Sequence, residues 1–323
     1  MKYLILLIAF QLNASCEKIE LPIDTPCIGD YNLYSTDSFD YVKKHLSSSY
    51  PIFRTLKVAK YLYSEPVFNP NNPYEIAYIR HSKDGFIQIK ELWKFSFCTG
   101  VATQLADNVY YNLDWSSKGW LSYTGTGHQI FVIKENGDSL TKISTLGGYN
   151  RAGQWNPSGT VFWNYRDDGM HFIDIEGEYV KKQTVYPFGS INWLNDTTLI
   201  GWRDNNFYSL TLFEEELVLL NSNSTKTYSY VDLINNDCYV PTSLGTGFDD
   251  YLIRYGLNGD NSIDTIYKMY DSYMFTKGDI ANGKIITALA RKNWTDVFNE
   301  QLLRQNIMIM DLDGTNERLV KLP

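Results

Sequence analysis

The 323-residue chain is short of the residues from which metal and redox centres are made. It has only four cysteines, Cys16, Cys27, Cys98 and Cys238, and no two stand as C-x-x-C. His45, His81, His128 and His171 are scattered, with none at metal-ligand spacing. No metal site and no cofactor is therefore expected. No basic run occurs and the net charge is −8, so a phosphate backbone would be repelled and nucleic acid is not an expected partner. H-E-x-x-H, a glycine-rich phosphate loop and G-x-S-x-G are all missing, which argues against zinc-peptidase, P-loop and α/β-hydrolase chemistry. No apolar run beyond the N-terminus is long enough to span a bilayer.

The N-terminus reads "MKYLILLIAFQLNASCEKIE". Lys2 supplies a minimal positive region, Tyr3 to Phe10 an apolar stretch too short for a mature spanning helix, and Ala14 and Ser15 small residues before Cys16. Residues 1–16 thus read as a signal peptide. A cysteine after small residues resembles a bacterial lipoprotein signal, in which that cysteine is acylated. The departure is Asn13 where an apolar residue is usual, with Leu12 the nearest. The alternative is an ordinary cleaved signal that leaves Cys16 as a thiol. The expected location is the periplasm or cell surface, with the outer membrane reached only through a lipid on Cys16. With Cys16 acylated, three cysteines remain and cannot all pair. One bridge can form, but Cys98 and Cys238 sit in strand-like runs and read as buried, inert thiols.

Aromatic residues make up 15% of the chain, a composition that β-sheets favour. They recur in register. "QWNPSGTVFW" places Trp155 before an Asn-Pro-Ser-Gly turn and an apolar run, and related segments place Phe68, Trp115, Trp193, Leu233 and Ile280 at the same position. These landmarks are spaced by 47, 40, 38, 40 and 47 residues. Each is followed by a second pattern, an alternating strand, a tight turn and another strand, as in "IFVIKENGDSLTKI" and "IMIMDLDGTNERLVKL". Six periods of about 40 residues with four strands each predict an all-β fold, a six-bladed β-propeller of four-stranded antiparallel blades over residues 61–323. One blade cannot cover both of its apolar faces alone, but a ring of blades buries all of them. The landmark is expected near the start of the innermost strand, as core packing between blades. Residues 17–60 form a separate N-terminal segment, with a short helix over 36–46 and a strand over 52–64 that lies against the first or last blade.

The repeat, seen at Trp155 to Gly159, Arg166 to Gly169 and Ile307 to Gly314, resembles the WD-like repeat of the TolB-type propeller. The resemblance runs from about residue 61 to the C-terminus. It implies the propeller fold but not the envelope-maintenance role of TolB, because residues 17–60 are too few for the α/β domain that precedes the TolB propeller. The second, fourth and fifth repeats depart from the pattern.

Signals for catalysis are sparse. Asp167-Asp168 and Asp249-Asp250 read as solvated turn residues, and "DLDGTNE" (311–317) as an Asp-Gly hairpin turn and not a calcium loop. More suggestive are Arg80, Arg166, Arg203 and Arg291, which fall 10 to 12 residues after their landmarks, where the second strand hands over to the third. His81, His128, Asp167, Trp202 and Trp294 lie in or beside the same loops. One reading is that each arginine ties its loop to a neighbouring blade. The other is a binding face, since arginine and aromatics are enriched in interaction hot spots. The functional expectation is a non-catalytic binding or scaffold protein of the bacterial envelope, whose partner is an envelope protein or an anionic glycan. The alternative is a glycan hydrolase or lyase with convergent carboxylates in the propeller channel.

Overall fold

The structure is a computed structural model that describes Leu33 and residues 61–84, 87–144, 150–166, 168–184, 191–203, 206–212, 214, 216–221, 232–234, 237–242, 251–257, 263–268, 273–291 and 306–323. The segments expected over 36–46 and 52–60 lie outside them. Six antiparallel sheets follow one another, each built from four consecutive strands. Blade 1 holds β1 (Leu62–Asn69), β2 (Asn72–Asp84), β3 (Ile87–Ser96) and β4 (Ala102–Asp107). Blade 2 holds β5 (Val109–Trp115), β6 (Trp120–Gly125), β7 (Gln129–Lys134) and β8 (Thr141–Lys142). Blade 3 holds β9 (Arg151–Trp155), β10 (Val161–Arg166), β11 (Gly169–Asp174) and β12 (Tyr179–Gln183). Blade 4 holds β13 (Ile191–Trp193), β14 (Thr198–Arg203), β15 (Asn206–Thr211) and β16 (Val218–Asn221). Blade 5 holds β17 (Asp232–Ile234), β18 (Asp237–Thr242), β19 (Tyr251–Gly256) and β20 (Ile263–Lys268). Blade 6 holds β21 (Tyr273–Ala281), β22 (Lys284–Arg291), β23 (Asn306–Asp311) and β24 (Arg318–Leu319).

The first strands touch in the cycle β1, β5, β9, β13, β17, β21 and back to β1, so they are innermost and the ring closes. The apolar core divides accordingly, one cluster per joint. Trp155 and Phe162 pack on Ile130 and Val132 between blades 2 and 3. Trp193 packs on Met170 and Phe172 between blades 3 and 4, and Trp115 on Val67 and Ile79 between blades 1 and 2. Trp115, Trp155 and Trp193 are 6%, 5% and 4% exposed, as their packing role requires. They stand at the end of the innermost strand, however, and not at its start, because the turn that follows each landmark leads outward to the second strand.

The turns after the landmarks interlock. Ser116 Oγ donates to Gly159 O at 3.0 Å and Ser117 Oγ to Pro157 O at 2.9 Å, while Asp196 Oδ1 accepts from Ser158 N at 2.7 Å. Gly159 has φ +68°, and a Cβ there would lie 2.4 Å from Ser116 Oγ, so the turn of blade 3 can nest on that of blade 2 only with glycine. The tight turns also match their sequence. Asn282-Gly283 joins β21 to β22 with both residues at positive φ, and Gly314 in the 311–317 segment has φ +80° in the turn before β24.

Among the described strands each blade is built from four consecutive ones, and the joint between blades 6 and 1 is a seam. β1 packs there on β21, β22 and β23. Leu33 bridges Val320 and is buried with Phe68, Tyr78, Phe97 and Ile309, and Tyr63 Oη donates to Pro323 O at 2.8 Å. Cys238 is a buried thiol that is not part of a disulfide, as expected. Cys98 is not: it is exposed, in the turn that follows β3, and it is disulfide-bonded. Its run of apolar neighbours ends at Phe97, so the strand reading extended one turn too far.

Candidate functional site

The arginines of the repeat occupy the ends of second strands. Arg166 and Arg203 close β10 and β14, and Arg291 closes β22, with its side chain outside the described residues. Arg80 lies four residues inside β2, because the first hairpin is longer. Asp167 and Trp294 also lie outside the described residues. Arg80 is held within its own blade. Its Nε donates to Glu91 Oε2 at 2.9 Å, and its guanidinium covers the rings of Trp93 at 3.7 Å and Tyr61 at 4.2 Å. His81 is buried, and its Nε2 lies 2.6 Å from Ser64 Oγ. Burial, helped by the Lys90 ammonium, pushes its pKa down to about 4, so it is neutral near neutral pH. His128 turns the corner from β6 to β7 at φ +55° and meets Tyr111 Oη at 2.8 Å. Trp202 packs at the joint between blades 4 and 5. These residues lie toward one end of the blades, but most are one strand away from the innermost ring.

Arg166, whose Nε lies 3.8 Å from Asp168 Oδ1, belongs to an arrangement around a cavity. Alternation along β10 puts Asn164 and Arg166 on the side of Phe162, which faces blade 2. With Ser144, Asn150, His171 and Tyr179 they line a cavity of about 30 Å³ above the apolar joint. Asn164 and His171 are 3% and 4% exposed, and Asn164 Oδ1 and His171 Nδ1 have no hydrogen-bond partner. His171 Nε2 lies 2.8 Å from Asp168 Oδ1, and Lys182 Nζ donates to Asp168 Oδ2 at 2.8 Å. These bonds, with Lys182 first, hold Asp168 well below the usual carboxylate range. Tyr179 rims the cavity, 53% exposed, with its ring edge-on to His171 at 5.8 Å. Two buried polar groups without partners beside a guanidinium and an exposed tyrosine make a docking point for a polar group.

The axis holds carboxylates that the motif search missed. Asp279 Oδ2 accepts from Phe68 N at 2.7 Å, Glu65 Oε2 from Leu113 N at 2.9 Å and Asp114 Oδ2 from Trp155 N at 2.7 Å. Each carboxylate thus ties its blade to the next, from blade 6 through 1 and 2 to 3. Lys277 of blade 6 reaches past blade 1 to donate to Leu113 O of blade 2 at 2.7 Å, and lies 3.6 Å from Glu65 Oε2. Desolvation deep in the ring raises the Asp114 pKa to about 7; Lys277 and the Trp155 N–H oppose this, and Asp279 adds to it. For Asp114 and Asp279 a sequence signal existed. The residue before the landmark is polar in five of six repeats: Asp114, Gln154, Asn192, Asp232 and Asp279. Among the described residues no group of three or more His, Cys, Asp or Glu could hold a metal ion. None of the described helices is long and apolar enough to cross a membrane.

No protein-family model matches the chain, and no curated protein matches it. Solved structures do. The acylaminoacyl peptidase of Pyrococcus horikoshii superposes with a TM-score of 0.52 at 14% identity, over 82% of this chain and 47% of the peptidase. The chain therefore spans about half the length of that enzyme. The β-propeller domain of the trilobed protease of Pyrococcus furiosus, described as having an open velcro topology, gives 0.55 at 12% identity, over 81% of this chain and 98% of the domain. At such identities the likeness shows the propeller fold alone.

Proposed function

We propose that this chain is a non-catalytic binding protein of the bacterial envelope, exported and held at the outer membrane by acylated Cys16, with a propeller of TolB type. It engages an acidic segment of a protein partner at the end of the blades where Arg166 and Arg203 lie. The observation that carries the reading is the cavity between blades 2 and 3, with Arg166, two partnerless buried polar groups and exposed Tyr179. A guanidinium pairs bidentately with carboxylates, and Arg166 and Lys182 set two cations against the single carboxylate of Asp168 beside the cavity, a local excess of positive charge on an acidic chain. The disulfide at Cys98 fits export to an oxidising compartment. An anionic glycan is the other ligand that suits the same arginines. For a glycan hydrolase or lyase, Asp114 is the candidate acid, but Asp114, Glu65 and Asp279 are each engaged by a backbone N–H of the next blade.

The test is crosslinking and affinity purification from solubilised envelopes. Arg166→Ala, Arg203→Ala together should leave the protein folded and abolish recovery of its partner. Recovery that falls only in step with folded protein would make the arginines internal struts, and full recovery from a stable variant would move the search to the other end of the ring. Cys16→Ala should release the protein from membranes. Identical fractionation of this variant and the wild type would remove the anchor.

A further inference from the structure

The sulfur chemistry of the chain can be resolved by elimination. Cys98 is disulfide-bonded and Cys238 is a buried thiol that is not part of a disulfide, so the partner of Cys98 is Cys16 or Cys27. The position of Leu33 distinguishes them. Leu33 is 4% exposed, pairs with Val320 at the edge of blade 6, and shares its apolar cluster with Phe97, the residue next to Cys98. Cys27 stands six residues before Leu33, a reach of about 20 Å at most. Cys16 stands 17 residues before it, so it must return over a much longer tether to the same place. Cys98 itself is exposed in its turn and open to approach.

We infer that Cys27 is the partner of Cys98, and that the bond staples the N-terminal segment to blade 1 beside the seam with blade 6. The inference leans on the lipoprotein reading at one point, since a sulfur that carries its lipid through a thioether cannot also form a disulfide. Formation of the bond takes one proton and one electron from each thiol. Both electrons pass to a protein disulfide of the export compartment, which leaves as a dithiol after exchange through a mixed disulfide. The staple also sets a leash. Ten residues, 17–26, separate Cys16 from Cys27, about 40 Å of chain at full extension. Phe97 N donates to Tyr74 O at 2.8 Å, which places Cys98 at the same end of blade 1 as its landmark turn. A lipid on Cys16 therefore keeps that end close to the bilayer, while the cavity of Arg166 opens toward the opposite end of the blades.

The experiment uses the full chain, exported by its own leader and extracted in detergent. Free thiols are alkylated at harvest, and the protein is digested without reduction for mass spectrometry. A Cys27–Cys98 peptide pair that disappears on reduction is the expected result. A Cys16–Cys98 pair, or Cys98 recovered alkylated, overturns the inference. The same digest reads the anchor separately, because a Cys27–Cys98 pair beside an unmodified Cys16 thiol would sink the anchor and leave the staple standing. As a second readout, Cys27→Ser and Cys98→Ser should each lower the melting temperature by roughly 5 °C, and the double variant by no more than either alone. Additive losses would mean that the two residues act independently and would overturn the pairing.

Discussion

Asp114→Asn should make the protein more stable at neutral and alkaline pH. Asp114 lies deep in the ring, half-buried, and burial lifts its pKa from the usual carboxylate value to about 7. Between about pH 4 and 7 the folded chain keeps a proton that the unfolded chain has released. Stability from this group is therefore present at low pH, falls as pH rises through that window and levels off above about 7. At about 1.4 kcal/mol per pH unit the upper bound is about 4 kcal/mol, and partial solvent contact reduces it to roughly 2–3 kcal/mol. Asparagine copies the neutral form, and its amide oxygen can still accept the Trp155 N–H. The repeat itself uses this residue at the same position in blade 4, Asn192. Urea denaturation at steps from pH 4.5 to 8.5 should show wild type and variant nearly equal at the acid end. The variant should lead by roughly 2–3 kcal/mol at the alkaline end. A difference that stays constant with pH would refute the reasoning, because Asp114 would then titrate alike in the folded and unfolded chains.

His81 gives a slope of the opposite sign. Its folded pKa of about 4 means that the unfolded chain takes up a proton first as pH falls below about 6.5, so stability is lost between about pH 6.5 and 4. His81→Gln should flatten that acid limb in the same denaturation series, and an unchanged limb would show that another group titrates there. Trp155→Ala should cost about 3–5 kcal/mol, the range for a large buried aromatic, and a loss below about 1 kcal/mol would contradict its place between blades 2 and 3.

The ring was legible because its physics repeats. A landmark residue must fill each joint, a turn must follow it, and a hairpin must complete each sheet, so six approximate copies reinforce one weak pattern. Even Leu233, recognised only by its alignment to Trp193, falls in the first strand of blade 5. The errors came where one residue decides the structure. The position of Cys98 depended on where β3 stops, and the apolar run alone did not mark that end. The place of the landmark within its strand depended on the direction of the chain, which spacing does not encode.

The site was less legible because the search followed chemical motifs and the molecule places its polar groups by repeat position. Arg80 and Arg166 hold comparable places in the repeat, yet one is covered by Trp93 and paired with Glu91, while the other lies near Asp168 and lines a cavity. The difference comes from neighbours. Glu91 stands opposite Arg80 in the ladder and pairs with it directly, whereas Gly169 stands opposite Arg166, whose carboxylate neighbour is Asp168 in the turn, 3.8 Å from its Nε. The same reasoning explains why the axial carboxylates escaped notice. Asp114 and Asp279, which accept a backbone N–H from the next blade, need no partner motif in sequence, only the place before a landmark, while Glu65 does the same from three residues before Phe68. Position before the landmark is thus a place to read how Asp114 and Asp279 tie this ring, and the ladder partner and turn carboxylate beside each arginine are the places to read how its charge is met.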